Sequence, residues 1–341
     1  MPRQSPSEQP ATDRLLEIIA RFRSCSLLVL GDLIADEYVY GHVARVSREA
    51  PVLILEYDST EVVAGGAGNA ASNVAALGGR ARLAALLGRD EAGRRLLATL
   101  PRGVDPRGIV RPVSYRTPVK TRILAGGIHS AKQQVVRIDR RSSGPVDADQ
   151  RAAVERAALE AAPAVDAVIV SDYGAGLVQP RTVSRVARAA RAGRRRVPVL
   201  VDSRYALTRF SGLTACTPNE SEVEQVLGVT IDDRLDVLES AGRTLLERTR
   251  MEAVLITRGG RGMALFEPHR PTVHIEIHGS DQIADVTGAG DTVMATLTLA
   301  LAAGGTVEEA ARLANYAGGL VVMKRGTATV SAGELAGAVR G

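Results

Sequence analysis

The sequence contains few aromatic residues and few cysteines. None of its 341 residues is tryptophan and 3% are aromatic, which disfavours a single-strand nucleic-acid binder, because such proteins stack bases on aromatic rings. The two cysteines, Cys25 and Cys216, lie in apolar segments, where a thiol behaves as a small hydrophobic group. Two thiols cannot build a zinc cluster. We therefore expect no disulfide, no zinc cluster and no nucleic-acid partner.

Long apolar runs are also absent. No segment reaches the roughly 20 apolar residues that a membrane-spanning helix needs, and the polar residues 1–13 contain no apolar signal core. We expect a cytoplasmic protein with no membrane contact and a disordered start over residues 1–13. With 45% hydrophobic and 24% charged residues, the chain can bury the core of one large domain or two ordinary ones.

Lysine is scarce although the chain is basic. Only Lys120, Lys132 and Lys324 occur, so 40 of the 43 basic residues are arginine. We interpret this preference as a compositional habit rather than a functional feature. The net charge of +5 favours anionic small molecules as partners.

Short apolar runs alternate with longer amphipathic stretches along most of the chain. The apolar runs are typical of buried parallel strands and cover residues 26–30, 82–87, 167–170, 198–201 and 253–257. The amphipathic stretches predict helices and cover residues 68–77, 151–162, 180–192, 233–249 and 306–323. This alternation predicts an α/β fold with a doubly wound, mostly parallel sheet flanked by helices.

One region departs from this alternation. Strand-like segments follow one another without intervening helices at residues 52–57, 109–115, 119–124 and 133–138. The pattern predicts a small separate β-sheet. We expect its strands within about 34–62 and 109–139, attached to the main body as a lid.

The most informative string is Asp285–Asp291, D-V-T-G-A-G-D, which precedes an apolar helical stretch. Gly288 and Gly290 allow a sharp turn, so that the amides of Gly288, Ala289 and Gly290 and the positive end of the helix point at one spot. We call these three residues the anion nest, since such a spot holds an anion. Asp291 faces it and would take a proton from a hydroxyl as a phosphoryl group arrives, with a pKa lowered by the nest. The alternative is that Asp291 only caps the helix and the glycines only shape a turn.

The string is similar to the C-terminal signature of the ribokinase-like (PfkB) sugar kinases, and the resemblance runs from about residue 27 to 334. It implies a single kinase domain over residues 14–341 that uses ATP and Mg²⁺. It leaves open whether a monovalent cation such as K⁺ binds behind the Asp285 loop, as in some relatives. Asp291 and the anion nest are the catalytic groups that it implies.

Further motifs assign the two substrates. The residues that resemble the sugar-gripping first signature, where carboxylates and amides form directed hydrogen bonds, are Asp32, Asp36, Gly65, Gly66 and Asn69. The residues that resemble the nucleotide side of the family are Asn219, Glu222, Thr257, Gly259, Gly262 and Asn315. Of these, Asn219 and Glu222 match a motif associated with Mg²⁺, which is held through water and oxygen ligands.

Four more strings resemble the kinase half of the bacterial heptose enzymes, which phosphorylate D-glycero-D-manno-heptose 7-phosphate at the anomeric position for lipopolysaccharide precursor synthesis. They cover residues 46–52, 120–122, 133–139 and 171–174. Arg48, where proline is expected, and a longer turn over 126–132 depart from that pattern near the sugar pocket. A small sheet of one layer leaves an apolar face and free edges, which predicts a homodimer through it, and the resemblance points the same way. The chain has no room for the nucleotidyltransferase half, so we expect the kinase half alone.

Basic residues concentrate in the predicted lid. Between residues 107 and 141 there are nine basic residues and one acidic residue, although the whole chain has 43 against 38. Any one of these basic residues is explained by a strand position whose side chain points into water. Together they predict that the acceptor is a sugar phosphate, with Lys120, Arg122 and Arg137 as candidate phosphate ligands.

Three alternatives stay open. A PfkB kinase for another sugar, sugar phosphate or nucleoside fits the same signature. The string Gly66–Ala71, with Asp90 beyond it, fits the fingerprint of an NAD(P)-dependent dehydrogenase, although the strand-like segment 61–64 before it is short and begins with a charge. A non-catalytic sugar- or nucleotide-binding protein is disfavoured because Asp291 and the anion nest are present.

Overall fold

The computed structural model describes residues 9–126, 132–142, 144–193, 196–279 and 285–341. In these ranges the α-helices are α1 (Gln9–Arg21), α2 (Ala67–Ala76), α3 (Glu91–Thr99), α4 (Ala148–Ala161), α5 (Pro180–Ala190), α6 (Glu220–Leu227), α7 (Leu235–Thr249), α8 (Ala289–Ala302), α9 (Val307–Val321) and α10 (Ala332–Arg340). The strands are β1 (Ser26–Gly31), β2 (Leu33–Val46), β3 (Leu53–Gly66), β4 (Arg80–Leu86), β5 (Val104–Val110), β6 (Val119–Gly126), β7 (Gln133–Arg140), β8 (Ala167–Asp172), β9 (Val199–Ser203), β10 (Ala215–Cys216), β11 (Ala253–Thr257), β12 (Met263–Phe266) and β13 (Val273–Ile275). None of these helices combines the length and the apolar character needed to cross a bilayer.

Nine strands form the main sheet, in the order β13-β12-β11-β10-β9-β8-β1-β4-β5. All neighbours from β11 to β5 pair in parallel, and only β12 and β13 pair antiparallel at one edge. The predicted doubly wound, mostly parallel sheet is therefore confirmed. Because β1 lies between β8 and β4, the strand order reverses there, and open α/β sheets bind ligands beside the carboxyl ends of strands at such a point.

The central strands are continuous apolar runs because helices cover both faces of the sheet. Every residue of β8 is buried, for example. One core contains α1, α2, α8, α9 and α10, and the other contains α4, α5 and α7. Three of these helices, α4, α9 and α10, begin with a capping box. At α4 it is formed by Asp147 and Gln150 and satisfies free amides of the first turn.

The small sheet has the strand order β3-β2-β6-β7, which confirms the predicted smaller sheet. Its two longest strands, β2 and β3, pair antiparallel from Leu33↔Gly66 to Val46↔Leu53. The chain enters this sheet one residue after β1 and leaves it directly into α2. Both connections join it to the carboxyl edge of the main sheet, so it stands beside the point where ligands bind.

The predicted lid strand at residues 109–115 is wrong. Ile109 and Val110 end β5, which pairs in parallel with β4 through Ala85↔Ile109 and Leu86↔Val110 in the main sheet. The cause is the helix α3 between β4 and β5, because a helical crossover returns a strand parallel to its predecessor. Residues 111–115 belong to no strand.

The predicted disordered start is too long. Residues 1–8 lie outside the described ranges, but α1 begins at Gln9. Leu15, Ile18 and Phe22 are buried in the same core as α9 and α10. This apolar stripe, spaced at three and four residues, gives α1 a packed face and accounts for its order.

The dehydrogenase interpretation is also wrong. The Gly66–Ala71 fingerprint does open α2, but the strand before it is β3, which runs antiparallel to β2 in the small sheet. A dinucleotide fingerprint needs a parallel βαβ unit, whose buried strand delivers the pyrophosphate to the helix N-terminus. That unit is not formed here.

We predict that Phe266→Ala lowers the free energy of unfolding by roughly 3–5 kcal/mol, the usual cost of deleting a buried phenylalanine ring. Phe266 is 0% exposed, and its ring packs so closely on α7 that a Cβ at Gly242 would lie 2.3 Å from it. Chemical denaturation of both variants measures the effect. Val113→Ala is the control, because Val113 is 80% exposed. Equal losses in the two variants would contradict the packing described.

Candidate active site

Two adjoining cavities open at the carboxyl edge of the main sheet. The first has a volume of about 420 Å³ and lies between the loops after β8, β9, β10 and β11 and the N-terminus of α8. The second has a volume of about 450 Å³ and lies between β6 and β7 of the small sheet and the loops after β8 and β9. Tyr173 and Arg204 line both cavities, so the cavities meet at these two side chains.

Asp291 is held by side chains from two other elements. It lies in the first turn of α8, lines the first cavity and is 4% exposed. Its carboxylate accepts hydrogen bonds from Asn69 Nδ2 at 2.7 Å and from the Tyr173 hydroxyl at 3.1 Å. Asn69 belongs to α2 and Tyr173 to the loop after β8. The position of Asp291 therefore depends on tertiary structure and not only on its own helix.

The orientation of Asn69 is set by a second layer of hydrogen bonds. Asn73 Nδ2 donates to Asn69 Oδ1 at 3.0 Å, and the Thr292 hydroxyl donates to Asn73 Oδ1 at 2.9 Å. With its carbonyl oxygen engaged by Asn73, Asn69 presents its amide nitrogen to Asp291. Asn73 and Thr292 are both fully buried, so this network is protected from competition by water.

The expectation that the anion nest lowers the pKa of Asp291 is wrong. Burial raises the pKa of Asp291 to about 6, and the hydrogen bonds from Asn69 and Tyr173 offset only part of that effect. Removing a carboxylate from water disfavours its charged form. Asp291 is consequently a stronger proton acceptor than an ordinary aspartate.

The first residue of the anion nest has the left-handed backbone that a sharp turn needs. Gly288 precedes the first residue of α8 and has φ +79°, a left-handed conformation that favours glycine. A Cβ there would also lie 2.6 Å from Asn69 Nδ2, whereas nothing lies within 4 Å of a Cβ built on Gly290. Asp285 accepts hydrogen bonds from the amides of Thr287 at 2.8 Å and Gly326 at 3.0 Å. It thereby fixes the loop that leads into the nest.

The residues predicted for catalysis and nucleotide binding all line the first cavity: Asn219, Glu222, Thr257, Gly259, Gly262, Gly288, Ala289, Gly290, Asp291 and Asn315. Asn219 and Glu222 also form the capping box of α6, with Glu222 N donating to Asn219 Oδ1 at 2.9 Å. Asn315 Nδ2 donates to the carbonyl of Glu276 at 2.7 Å. These residues shape the cavity as well as line it.

The wall of the first cavity near α6 offers oxygen ligands. Asp202, Glu222 and Thr217 line it, and the buried Thr217 hydroxyl has no hydrogen-bond partner among the residues that the structure describes. Burial and the neighbouring carboxylates of Glu222 and Asp291 raise the pKa of Asp202 well above its usual range. Among the described residues, no three histidine, cysteine or acidic side chains are grouped so that they could hold a metal ion by themselves. The oxygen atoms of Asp202, Glu222 and Thr217 suit Mg²⁺, because this ion keeps several waters and binds through one or two carboxylates together with substrate phosphates.

The second cavity is basic. Two of the three predicted phosphate ligands, Lys120 and Arg137, line it together with Arg140, Arg141 and Arg204. Lys120 Nζ lies 5.0 Å from the centre of the Tyr173 ring, and burial lowers the pKa of Lys120. Arg137 is paired with Asp139 at 2.8 Å. Lys120 has no carboxylate partner among the described ion pairs, so its charge remains available to an anion.

The remaining predicted substrate residues, Asp32, Asp36, Gly65, Gly66, Asn69 and Arg122, line neither cavity. Asp32 instead accepts hydrogen bonds from the amides of Tyr173 and Ala175 at 2.9 and 3.1 Å, and burial raises its pKa to about 6. Arg122 donates to Asp36 at 2.5 Å.

Gly65 and Gly66 allow close approach to these carboxylates. A Cβ at Gly65 would lie 2.1 Å from Asp36 Oδ2, and one at Gly66 would lie 2.4 Å from the Asp32 carbonyl oxygen. Asp32 and Gly66 thus position the loop of Tyr173, and Asp36 holds Arg122 away from the second cavity. The sugar-gripping role of this group stays a prediction.

The sequence reasoning did not assign roles to Tyr173, Asp202 or Arg204. Tyr173 and Arg204 directly follow β8 and β9, and Asp202 is the penultimate residue of β9. Residues at the carboxyl ends of parallel strands converge on the ligand site, and this position was the only signal for Asp202 and Arg204. Tyr173 also lies in the heptose-enzyme string 171–174, which gave it no role.

Comparison with solved structures defines the class of fold. The Arabidopsis thaliana ribokinase complexed with ribose and ATP matches with a TM-score of 0.70 at 20% identity, covering 93% of this chain and 99% of that chain. The Escherichia coli phosphofructokinase-2 in complex with potassium matches with a TM-score of 0.73 at 18% identity, covering 93% and 98%. The fold is ribokinase-like.

Comparison with sequences defines the family. The model of the pfkB family carbohydrate kinases matches residues 26–332. The bifunctional protein HldE of Pelobacter propionicus is 40% identical over 324 residues, and that of Caulobacter vibrioides is 39% identical over 327. These matches cover 94% and 95% of this chain but 64% and 65% of the relatives, so the chain spans about two thirds of their length. The chain belongs to the pfkB family of carbohydrate kinases.

We predict that Asp291→Asn stabilises the protein at pH 8. A carboxyl whose pKa is raised on folding from 3.8 to about 6 destabilises the folded state above pH 6, and the effect disappears below the unfolded pKa. The gain in free energy of unfolding should be up to about 3 kcal/mol at pH 8. It should shrink as the pH falls from 6 towards 4. Denaturation of both proteins across this range measures it, and a pH-independent difference would contradict the buried carboxylate.

Proposed function

We propose that this kinase transfers the γ-phosphoryl group of ATP to a hydroxyl of a sugar phosphate, with D-glycero-D-manno-heptose 7-phosphate, phosphorylated at its anomeric position, as the first candidate. The observation that carries the proposal is the basic second cavity next to Asp291. The four heptose-enzyme strings in the sequence and the identity to HldE proteins support the choice of sugar.

The first cavity offers both kinds of surface that ATP needs. Met263, Ile277 and Val322 line it with apolar groups, which suit a purine, and the anion nest lines the same cavity. Free amides at a helix N-terminus favour phosphate. The predicted pair Asn219 and Glu222, together with Asp202 in the same cavity, would hold Mg²⁺ through water, and the ion would neutralise charge on the β- and γ-phosphates. A potassium site behind the Asp285 loop stays a prediction, because residues 280–284 lie outside the described ranges.

Asp291 acts as the base. The oxygen of the acceptor hydroxyl forms a bond to the γ-phosphorus, the bond from that phosphorus to the bridging oxygen of ADP breaks, and ADP leaves with the electron pair. The hydroxyl proton passes to the Asp291 carboxylate. Tyr173 and Asn69 hold the carboxylate in place during this transfer, while the nest amides stabilise charge on the phosphoryl oxygens.

The phosphate already on the acceptor would lie in the second cavity. Lys120 is the side chain best placed to bind it, since it is half-buried and has no acidic partner among the described ion pairs. Burial strengthens the attraction between its ammonium group and a phosphate. Arg141 also lines this cavity.

We predict that Lys120→Glu raises the KM of a sugar phosphate acceptor by roughly tenfold to a hundredfold. The variant loses a charge-assisted hydrogen bond and leaves the partly buried phosphate without its partner. The KM of ATP should change little. Arg116→Glu is the control, because Arg116 is exposed and lines neither cavity. The assay is ATP turnover with heptose 7-phosphate, fructose 6-phosphate, ribose, fructose and a nucleoside. Faster turnover of a free sugar or nucleoside than of either sugar phosphate would reject the proposed acceptor.

We predict that Asp291→Asn lowers kcat by roughly 10² to 10⁴, the usual loss for a positioned base, while ATP still binds. Wild-type kcat/KM should fall below about pH 6, because protonated Asp291 cannot accept the hydroxyl proton. The residual activity of the variant should lack this decline. Turnover of Asp291→Asn close to the wild-type value would contradict this role and show that Asp291 only shapes the start of α8.

The predicted homodimer through the small sheet is also part of the proposal. The edge strand β7 is exposed along its whole length although it contains Val135, Val136 and Ile138. Elsewhere in this sheet Val46 is 58% exposed and Tyr57 is 68% exposed. Exposed apolar edges favour association, and a second copy of the same sheet would cover them.

We predict that the protein sediments as a dimer at micromolar concentration and that Val136→Glu shifts it to a monomer, because a carboxylate cannot be buried without a partner. Val113→Glu, at an exposed position outside the small sheet, should leave the dimer intact. A wild-type monomer, or a dimer unaffected by Val136→Glu, would reject this interface.

A further inference from the structure

Arg204 is fixed at the junction of the two cavities. It follows directly after β9, and its backbone amide donates to the carbonyl of Asp172 at the end of β8 at 3.1 Å. The adjacent Ser203 hydroxyl donates to the Asp172 carboxylate at 2.7 Å. These two bonds tie the ends of neighbouring parallel strands together, so the Cα of Arg204 has a defined place on the sheet edge.

The guanidinium group of Arg204 is not used to stabilise the fold. It makes no hydrogen bond or ion pair within the described ranges, and its side chain is exposed. It lies over the Tyr173 ring, whose centre is 5.3 Å from the guanidinium carbon. Stacking over an aromatic face orients a guanidinium group but leaves its N–H groups available as hydrogen-bond donors.

Arg204 differs from the other cations near the site. Lys120, Arg137, Arg140 and Arg141 line the second cavity alone, whereas Arg204 lines both. The ring on which it lies carries the hydroxyl that donates to Asp291. Lys120 also lies over this ring, but Arg204 is the described cation that lines both cavities, between which a transferred group must pass.

We propose that Arg204 contacts the phosphoryl group in transit between ATP and the acceptor, donating hydrogen bonds to its oxygens. This inference rests on the placement of the two substrates under the proposed function. While the bond to ADP breaks and the bond to the acceptor oxygen forms, the three peripheral oxygens of the phosphoryl group carry the negative charge, and a planar guanidinium can donate two hydrogen bonds to them at once.

A competing explanation is that Arg204 only offsets the charges of Asp202 and Glu222. Both carboxylates line the first cavity, and the positive charge of Arg204 lowers the pKa of each. The two explanations differ in what they require. Compensation needs one positive charge, which lysine also supplies, whereas contact with the phosphoryl group in transit needs the fork of donors that only arginine has.

The test compares Arg204→Gln and Arg204→Lys with the matched control Arg209→Gln. Arg209 is an exposed arginine five residues further along, and it lines neither cavity. Steady-state kinetics use ATP and whichever acceptor of the panel above the wild type turns over fastest. We expect both Arg204 variants to lose roughly 10²- to 10³-fold in kcat, to change the KM of ATP by less than about threefold, and the control to match the wild type.

A second measurement needs no acceptor. ADP with aluminium fluoride imitates a phosphoryl group in transit. Calorimetry of Mg²⁺–ADP binding with and without aluminium fluoride therefore measures how much more tightly the protein binds this mimic than ADP alone. The wild type should bind the fluoride complex more tightly than ADP alone, and both Arg204 variants should lose most of this difference.

Wild-type kcat in Arg204→Lys, an effect confined to the KM of ATP, or an unchanged calorimetric difference in Arg204→Gln would overturn the inference. Failure of the proposed function is a separate outcome. If the wild type prefers a free sugar, the sugar phosphate proposal fails, but the comparison of kcat among the Arg204 variants remains decisive.

Discussion

The burial of the Asp291 carboxylate is the constraint on which the rest of the site depends. A charged group removed from water must be satisfied by the protein, and here the donors are Asn69 of α2 and Tyr173 of the loop after β8. Their placement requires the small sheet, which ends at Gly66 immediately before α2. The carboxylate is only partly compensated, so its pKa rises to about 6. Incomplete compensation of the buried carboxylate lowers the stability of the fold and also makes Asp291 a stronger base.

The two sheets contribute different groups to the surroundings of the Asp291 carboxylate. The carboxyl edge of the main sheet supplies the anion nest, the oxygen ligands and the nucleotide cavity, while β6 and β7 of the small sheet supply Lys120 and Arg137 to the second cavity. Tyr173 contributes its hydroxyl to Asp291 and its ring to Lys120 and Arg204. One side chain thereby connects the groups that face the nucleotide with those that face the acceptor.

The parts of the site encoded by local motifs were predictable, and the parts created by tertiary contact were not. The Asp285–Asp291 string and the Asn219–Glu222 capping box each shape their own backbone, which explains why those residues reach the first cavity as expected. The pKa of Asp291 depends on burial by distant elements, so local reasoning gave it the wrong direction. Likewise, residues 109–115 are strand-like by composition, but Ile109 and Val110 belong to β5 of the main sheet, because the helix α3 lies between β4 and β5.

The titration of the Asp291 carboxyl tests this account most directly. Carbon-13 NMR of the ligand-free protein, with aspartate carboxyls labelled and the Asp291→Asn variant used to identify the signal, follows that one group as the pH changes. The account predicts a midpoint near pH 6, because burial outweighs the two hydrogen bonds. A midpoint at or below about 4, the ordinary value of an aspartate, would contradict it.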